Sequence, residues 1–206
     1  MKNIVNIKTP RPAKELRDQA RRDEISEAAR KCVLRHGFHA ASMAEIAEMA
    51  HMSVGQIYRY FPSKEAIVHA IVERIVETRL EWIATDSNSE DLSATLSKVL
   101  LHGHDGSGDD GHDDHVLMLE VSAEATRNPA VAAIVQEAHR RIREQAVAMF
   151  KRTHSYLTEQ QASACVDFIG ALAEGCAFRR VNGLASQDRA LGRLFKDVIA
   201  VALAKK

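Results

Sequence analysis

The sequence predicts an all-α protein of nine helices with a small helical head and a larger helical body. Three observations lead there. Apolar residues recur at i, i+3, i+4 and i+7 along most of the 206-residue chain, and alternating runs of the β type are few. Four prolines, Pro10, Pro12, Pro62 and Pro129, leave long stretches uninterrupted. Three capping boxes, Ser42-x-x-Glu45, Ser53-x-x-Gln56 and Thr158-x-x-Gln161, mark helix starts, because a short hydroxyl and a reaching carbonyl satisfy each other's orphan N–H groups.

The elements follow in order. Residues 1–14 carry Lys2, Lys8, Arg11 and Lys14, no acid and two prolines, and read as a mobile basic arm. A helix is expected over 17–36, where Ile25, Ala28, Ala29, Cys32, Val33 and His36 share one face and Gly37 supplies the stop. The first two capping boxes, eleven residues apart, leave room only for two short helices, 42–50 and 54–60. A long helix over 64–84, about 31 Å at 1.5 Å per residue, buries Ile67, Val68, Ile71, Ile75 and Val76 and reaches the single tryptophan, Trp82. Helices are then predicted over 90–102, 116–127, 129–153, 158–181 and 187–205. Between the first two of these lies the run 102–115, composed only of His, Asp, Gly and Ser, which predicts a long loop outside any core.

Composition limits the function. The apolar share of 46 % suits a packed globular chain, not a disordered one. Twenty-eight basic residues balance 28 acidic ones, but unevenly: residues 1–66 sum to +4 and residues 67–206 to −4, with five aspartates in the 102–115 run. A basic module joined to an acidic body is the expected reading. Cys32, Cys165 and Cys176 are too few and scattered for a disulfide framework, no apolar run approaches a membrane span, and the N-terminus lacks a signal-peptide pattern. A cytoplasmic protein with no membrane partner is expected. An enzyme is disfavoured: the chain has no glycine-rich phosphate loop, no His-Glu-x-x-His and no Gly-x-Ser-x-Gly, and no cofactor is implied.

Segment 42–61 carries the most information. Ile46, Ala47 and Ala50 face inward on the first short helix, the turn is His51-Met52-Ser53, and Val54, Ile57 and Phe61 face inward on the second. This is the layout of a helix-turn-helix, whose second helix enters the major groove. Its outer face offers Gly55 for close backbone approach and Gln56 for a bidentate pair with adenine. Arg59 suits guanine or phosphate, and Tyr58 and Tyr60 suit phosphate oxygens. Lys64 opens the next helix, where its charge and the free N–H groups suit phosphate. The competing reading of this face is an ordinary solvated surface.

Phe38, the run Ser42-Met43-Ala44-Glu45-Ile46-Ala47, and the run from Ser53 to Glu65 with Tyr58-x-Tyr60-Phe61-x-x-Lys64-Glu65 as its most specific part resemble the DNA-binding domain of TetR-type transcriptional regulators. The resemblance covers about residues 20–66. It implies a flexible arm over 1–16, a DNA-binding domain over 17–66 and a ligand-binding and dimerisation domain over 67–206. It implies a homodimer on a palindromic double-stranded DNA operator, a repressor by family habit, released by a small-molecule inducer. By residue it implies DNA contacts from Ser42, Ser53, Gly55, Gln56, Tyr58, Arg59, Tyr60 and Lys64. His51 stands where the family often has glycine, so a left-handed turn there carries a cost.

The resemblance places an inducer pocket among the helices behind the head, with Trp82, Leu96, Leu100, Met118, Glu120, Glu124, His139 and Phe150 as candidate lining residues. Glu120 and Glu124, one turn apart, suit a cationic ligand; the plainer reading is a pair of surface or salt-bridged carboxylates. The family dimerises through its last two helices, and the apolar faces of 158–181 and 187–205 are broad enough; their other use is to complete the monomer's core. His102, His104, His112 and His115, among five aspartates, form a candidate metal set for zinc, nickel or copper(II) and define the alternative of a metal-responsive regulator. The competing reading is a solvated acidic loop. A helical protein that binds a small molecule without DNA is the remaining alternative.

Overall fold

The computed structural model describes residues 13–85, 91–102, 110–184 and 189–204, with the backbone alone for residues 102 and 110–112. Among the described residues there are nine helices and no strands. They are α1 (Ala13–Ala40), α2 (Met43–Met49), α3 (Val54–Tyr58), α4 (Lys64–Thr85), α5 (Leu92–His102), α6 (Asp110–Ala125), α7 (Pro129–Thr153), α8 (Glu159–Val181) and α9 (Arg189–Ala202). The basic arm up to residue 12 and His104 lie outside the described residues.

Local chemistry sets most boundaries. All three capping boxes form, with Ser42, Ser53 and Thr158 each accepting the N–H three residues on. Asn128 caps α7 ahead of Pro129, which has no N–H to leave unpaired. Helix α1 begins at Ala13, four residues earlier than periodicity suggests, with Glu15 in its first turn, where an acid complements the exposed amides. Gly37 ends the regular part of α1 at φ 77°, ψ 162°, and a final helical turn follows the break.

The expectation of a loop over 102–115 is corrected for 110–115, which open α6. Composition misleads there. Aspartates at a helix start are favoured by the unpaired N–H groups, and the Arg30 guanidinium of α1 pairs with Asp113 at 3.5 Å and Asp114 at 3.2 Å.

Two apolar clusters organise the chain. One unites α1, α2, α3 and the first part of α4 with Leu117 and Val121 of α6 and Val131, Val135 and Ala138 of α7. The other joins the end of α4, α5, the end of α7, α8 and α9 around Leu100, Met149, Phe150 and Ile199. Leu80 and Ile142 touch both. The head therefore shares its core with α6 and α7, so a displacement of those helices is felt at α1.

Candidate nucleic-acid interface

The turn between α2 and α3 is a Schellman motif: Met52 N–H reaches Ala47 O at 2.9 Å and His51 N–H reaches Glu48 O at 3.1 Å. The motif needs a left-handed residue after the cap, and His51 supplies it at φ 53°. The same motif ends α8, where Gly183 takes that place at φ 67°. The cost expected at His51 is thus present in the fold.

Helix α3 is anchored by Ile57, fully buried, and by Phe61, whose ring lies under the Arg22 guanidinium at 4.7 Å. Its outer face presents Ser53, Gly55, Gln56 and Arg59 to solvent, together with Tyr58, which is 51 % exposed. A Cβ on Gly55 would meet nothing within 4 Å, so this backbone is open to close approach from outside. Ser42 is exposed at the start of α2. Tyr60 is half-buried against the head core, which leaves its outer edge for contact.

Two of the expected contact residues have other commitments. The Gln56 side-chain oxygen accepts the Ser53 N–H at 2.7 Å. A bidentate pair with adenine needs that oxygen and the amide together, so it would cost the cap; the amide group alone is free to reach out. Lys64 Nζ donates to Phe38 O at 2.8 Å and to Ala41 O at 3.1 Å, and rides over the Phe38 ring at 4.3 Å. Two of its three donors therefore hold the end of α1, and one remains for a phosphate.

Phe38 is gripped from the body as well. Its N–H donates to Glu120 Oε2 of α6 at 3.2 Å, directly beside the Gly37 break. Glu120, expected to face a ligand, here joins α6 to the head through its carboxylate. Glu124, one turn on, is buried and paired with Arg127 Nε at 2.8 Å, which is the plainer of its two readings.

The remaining pocket candidates are divided. Leu96, Leu100 and Phe150 are buried in the second cluster, and Trp82 packs against it. Met118 packs against the first cluster. His139 lies on an exposed face of α7, 3.8 Å from Glu174 of α8, because its position falls off the apolar stripe of its helix. Of the candidate metal set, His104 and the side chains of His102 and His112 lie outside the described residues. His115 Nε2 is 3.2 Å from Arg180 Nη2, and among the described residues no three potential ligands group together.

Sequence reasoning missed two half-buried arginines of the body. Arg180 of α8 donates to Leu100 O at 2.8 Å and to His115. Arg79 of α4 sits on the same stripe as Ile75, Val76 and Ile83, and burial pushes its guanidinium pKa down, against the opposing pull of Asp114 and Glu174. Burial also lowers Arg180 and raises Asp114, the latter opposed by Arg30. The available signal was a charged residue at an apolar register position: Arg79 one turn after Ile75, and Arg180 one turn after Cys176.

Comparison with known proteins agrees with this geometry. Residues 25–71 match the profile of bacterial regulatory proteins of the tetR family, and residues 88–203 match the tetracyclin repressor-like C-terminal domain. The HTH-type transcriptional regulator UidR of Escherichia coli is 32 % identical over 127 residues, 61 % of this chain and 62 % of that protein. The match thus spans about three-fifths of that relative's length. GusR of Salmonella enterica superposes with a TM-score of 0.77 at 24 % identity, covering 89 % of this chain and 95 % of that one. FadR of Bacillus subtilis in complex with stearoyl-CoA superposes at 0.66 and 18 % identity, covering 88 % and 97 %. A Saccharomonospora viridis regulator in complex with choline gives 0.65 and 20 %, covering 89 % and 95 %. These likenesses to solved structures speak for the fold. With both profiles matched in order along a chain whose α3 displays a solvent-facing Gly-Gln-x-Tyr-Arg surface, this chain belongs to the TetR family of bacterial transcriptional regulators.

Proposed function

We propose that the chain is a ligand-responsive repressor that binds a palindromic operator as a homodimer and leaves it when a small molecule enters the body. The observation that carries the reading is the solvent-facing surface of α3, with Gly55, Tyr58 and Arg59 uncommitted inside the protein. Arg59 and the Gln56 amide are proposed to reach base edges, and Ser42, Ser53, Tyr58 and Tyr60 to hold phosphates. Lys64 acts chiefly by fixing the end of α1 and offers its third donor to a phosphate.

The dimer is proposed to form through α8 and α9. Phe168, Phe178, Leu194, Val198 and Val201 are exposed there, and the last is 73 % exposed. Gly170 and Gly175 leave open space at their Cα atoms, which suits close approach of a second helix pair. Two heads joined this way can meet half-sites about 34–36 Å apart.

The effector is proposed to bind where the two apolar clusters meet, near Trp82, Arg79 and Arg180. Helix α6 then relays its presence, since Glu120 and the Asp113–Asp114 pair grip α1. Release follows when the effector favours a body in which this grip holds the two heads at the wrong spacing. The described neighbours carry ligands as unlike as choline and stearoyl-CoA, which supports an adaptable body and leaves the ligand of this chain to its own residues.

Selection from a random duplex pool tests the reading. Recovery of an inverted repeat bound by two chains is the expected result. Recovery of no enriched sequence at low salt would leave a helical binder without DNA function.

A further inference from the structure

We propose that the first three turns of α1 form a second DNA-contacting surface, in which Lys14 and Arg17 hold operator phosphates beside those engaged by α3. Such a surface depends on the regulator reading above and extends its interface to residues outside the matched tetR-family profile, which begins at residue 25.

Almost nothing in the protein touches this stretch. Helix α1 starts at Ala13, yet every residue from 13 to 24 is exposed and the first buried one is Ile25. Those residues run about 18 Å at 1.5 Å each. A helix so short draws little stability from its own hydrogen bonds, and most helices are held by packing one face. Here the face that continues the packed one is charged. Lys14, Arg17, Asp18 and Arg21 stand at i−11, i−8, i−7 and i−4 from Ile25, in line with the buried stripe of Ile25, Ala28, Ala29 and Cys32. Three of those four are cations, and the acids Glu15, Asp23 and Glu24 fall off the line.

Position selects the occupant. The Arg22 guanidinium, at the edge of the stripe, lies over the Phe61 ring at 4.7 Å. Phe61 directly follows Tyr60, and Tyr58 is one turn back. The stripe therefore leaves the head at the end of α3, where the two tyrosines are proposed to hold phosphates. From Arg22 back to Lys14 is about 12 Å. A DNA strand carries a phosphate about every 3.4 Å, so two or more successive phosphates fit that length. Arg21 is engaged by Glu24 at 2.6 Å, whereas no described residue ion-pairs with Lys14 or Arg17. The other occupant, a second copy of this chain, would need apolar surface to hold it. The stretch exposes one large apolar side chain, Leu16, on the far side of the helix from the cations.

The test compares the full chain with K14Q/R17Q on the operator recovered by selection. Both side chains stand clear of the core, so the thermal midpoint of the free protein should not change. Affinity is expected to fall about 10- to 100-fold at 0.1 M salt, and the log–log salt slope to drop by about two. Operator and random duplex should weaken alike, because phosphates carry no sequence. Ethylation interference with wild type is expected to mark phosphates adjoining those whose effect is lost in Y58F, and K14Q/R17Q should no longer sense the adjoining ones. K14E/E15K keeps the net charge but moves the cation off the stripe, and should also weaken binding; wild-type affinity there would mean general attraction and overturn the inference. An unchanged slope and interference pattern in K14Q/R17Q, with wild type bound, would overturn it alone. So would an unchanged slope with an altered association state of the DNA-free variant, which assigns the face to a second copy. Wild type that binds no duplex at low salt would remove the regulator reading as well.

Discussion

Replacing Gly37 with alanine tests the junction between body and head. Gly37 sits at φ 77° and ψ 162°, a region that side chains rarely enter. Holding alanine there costs about 1–3 kcal/mol. A Cβ at this position would also lie 3.0 Å from Glu120 Oε2, but that atom ends a flexible side chain and can move by a few tenths of an ångström. Backbone strain should therefore account for most of the loss. In a protein of this size the unfolding midpoint falls by about 2–4 °C per kcal/mol, so a drop of about 2–12 °C is expected. Calorimetry at fixed protein concentration measures it, with Glu120→Ala as the second arm of a double-mutant cycle. Glu120→Ala alone leaves the buried Phe38 N–H without its acceptor and costs about 1–3 kcal/mol. In that background Gly37→Ala should retain most of its cost. A neutral Gly37→Ala, or complete rescue by Glu120→Ala, would refute the backbone argument.

Further outcomes follow from the same geometry. His51→Gly is expected to stabilise the chain by about 0.5–1 kcal/mol, because relief of a left-handed side chain exceeds the added freedom of glycine in the unfolded state; a loss on chemical denaturation would contradict it. Lys64→Met should lower stability by about 1–3 kcal/mol and reduce the salt slope of operator binding by about one, because both the bonds that hold the end of α1 and the phosphate donor are lost; an unchanged slope would remove Lys64 from the DNA contact. Gln56→Glu should keep the α3 cap, since a carboxylate can accept the Ser53 N–H, while weakening operator binding; an unaltered affinity would exclude the Gln56 amide from the DNA contact. Asp91 is held below the ordinary carboxylate range, first by the Lys196 ammonium at 2.6 Å and then by Ser93 and the Ala94 N–H. A depressed folded-state pKa means that this contribution is full above the unfolded pKa of about 3.9 and fades as pH falls towards the folded value. Asp91→Asn should therefore lower the midpoint at neutral pH and converge with wild type in strong acid.

The parts legible in the sequence are those governed by near neighbours. The capping boxes at Ser42, Ser53 and Thr158 need only residues three apart, and all three formed. The helix-turn-helix was legible for the same reason, including the strain at His51. The start of α6 was not, because its acidic opening is held by Arg30, distant along the chain. Gln56 illustrates a subtler limit: one side chain satisfied two sequence patterns, cap and base reader, and only the geometry shows which holds its oxygen in the free protein. Lys64 and Glu120 read from the sequence as contacts to DNA and to a ligand because charges near a site invite that reading, and the fold brings both to the peptide groups around Phe38. Arg79 and Arg180 were passed over as members of otherwise apolar stripes. Their significance depends on which carboxylates stand near, a tertiary fact.

If α3 reads DNA from a dimer, a salt titration of the selected operator by fluorescence anisotropy will show it. Two chains per inverted repeat are expected, with affinity falling linearly on a log–log plot as salt rises. Arg59→Ala should weaken binding to the operator far more than to random duplex, because a base contact carries about 1–3 kcal/mol of discrimination. Binding that ignores salt, or an Arg59→Ala protein that reads the operator as well as wild type, would contradict the account.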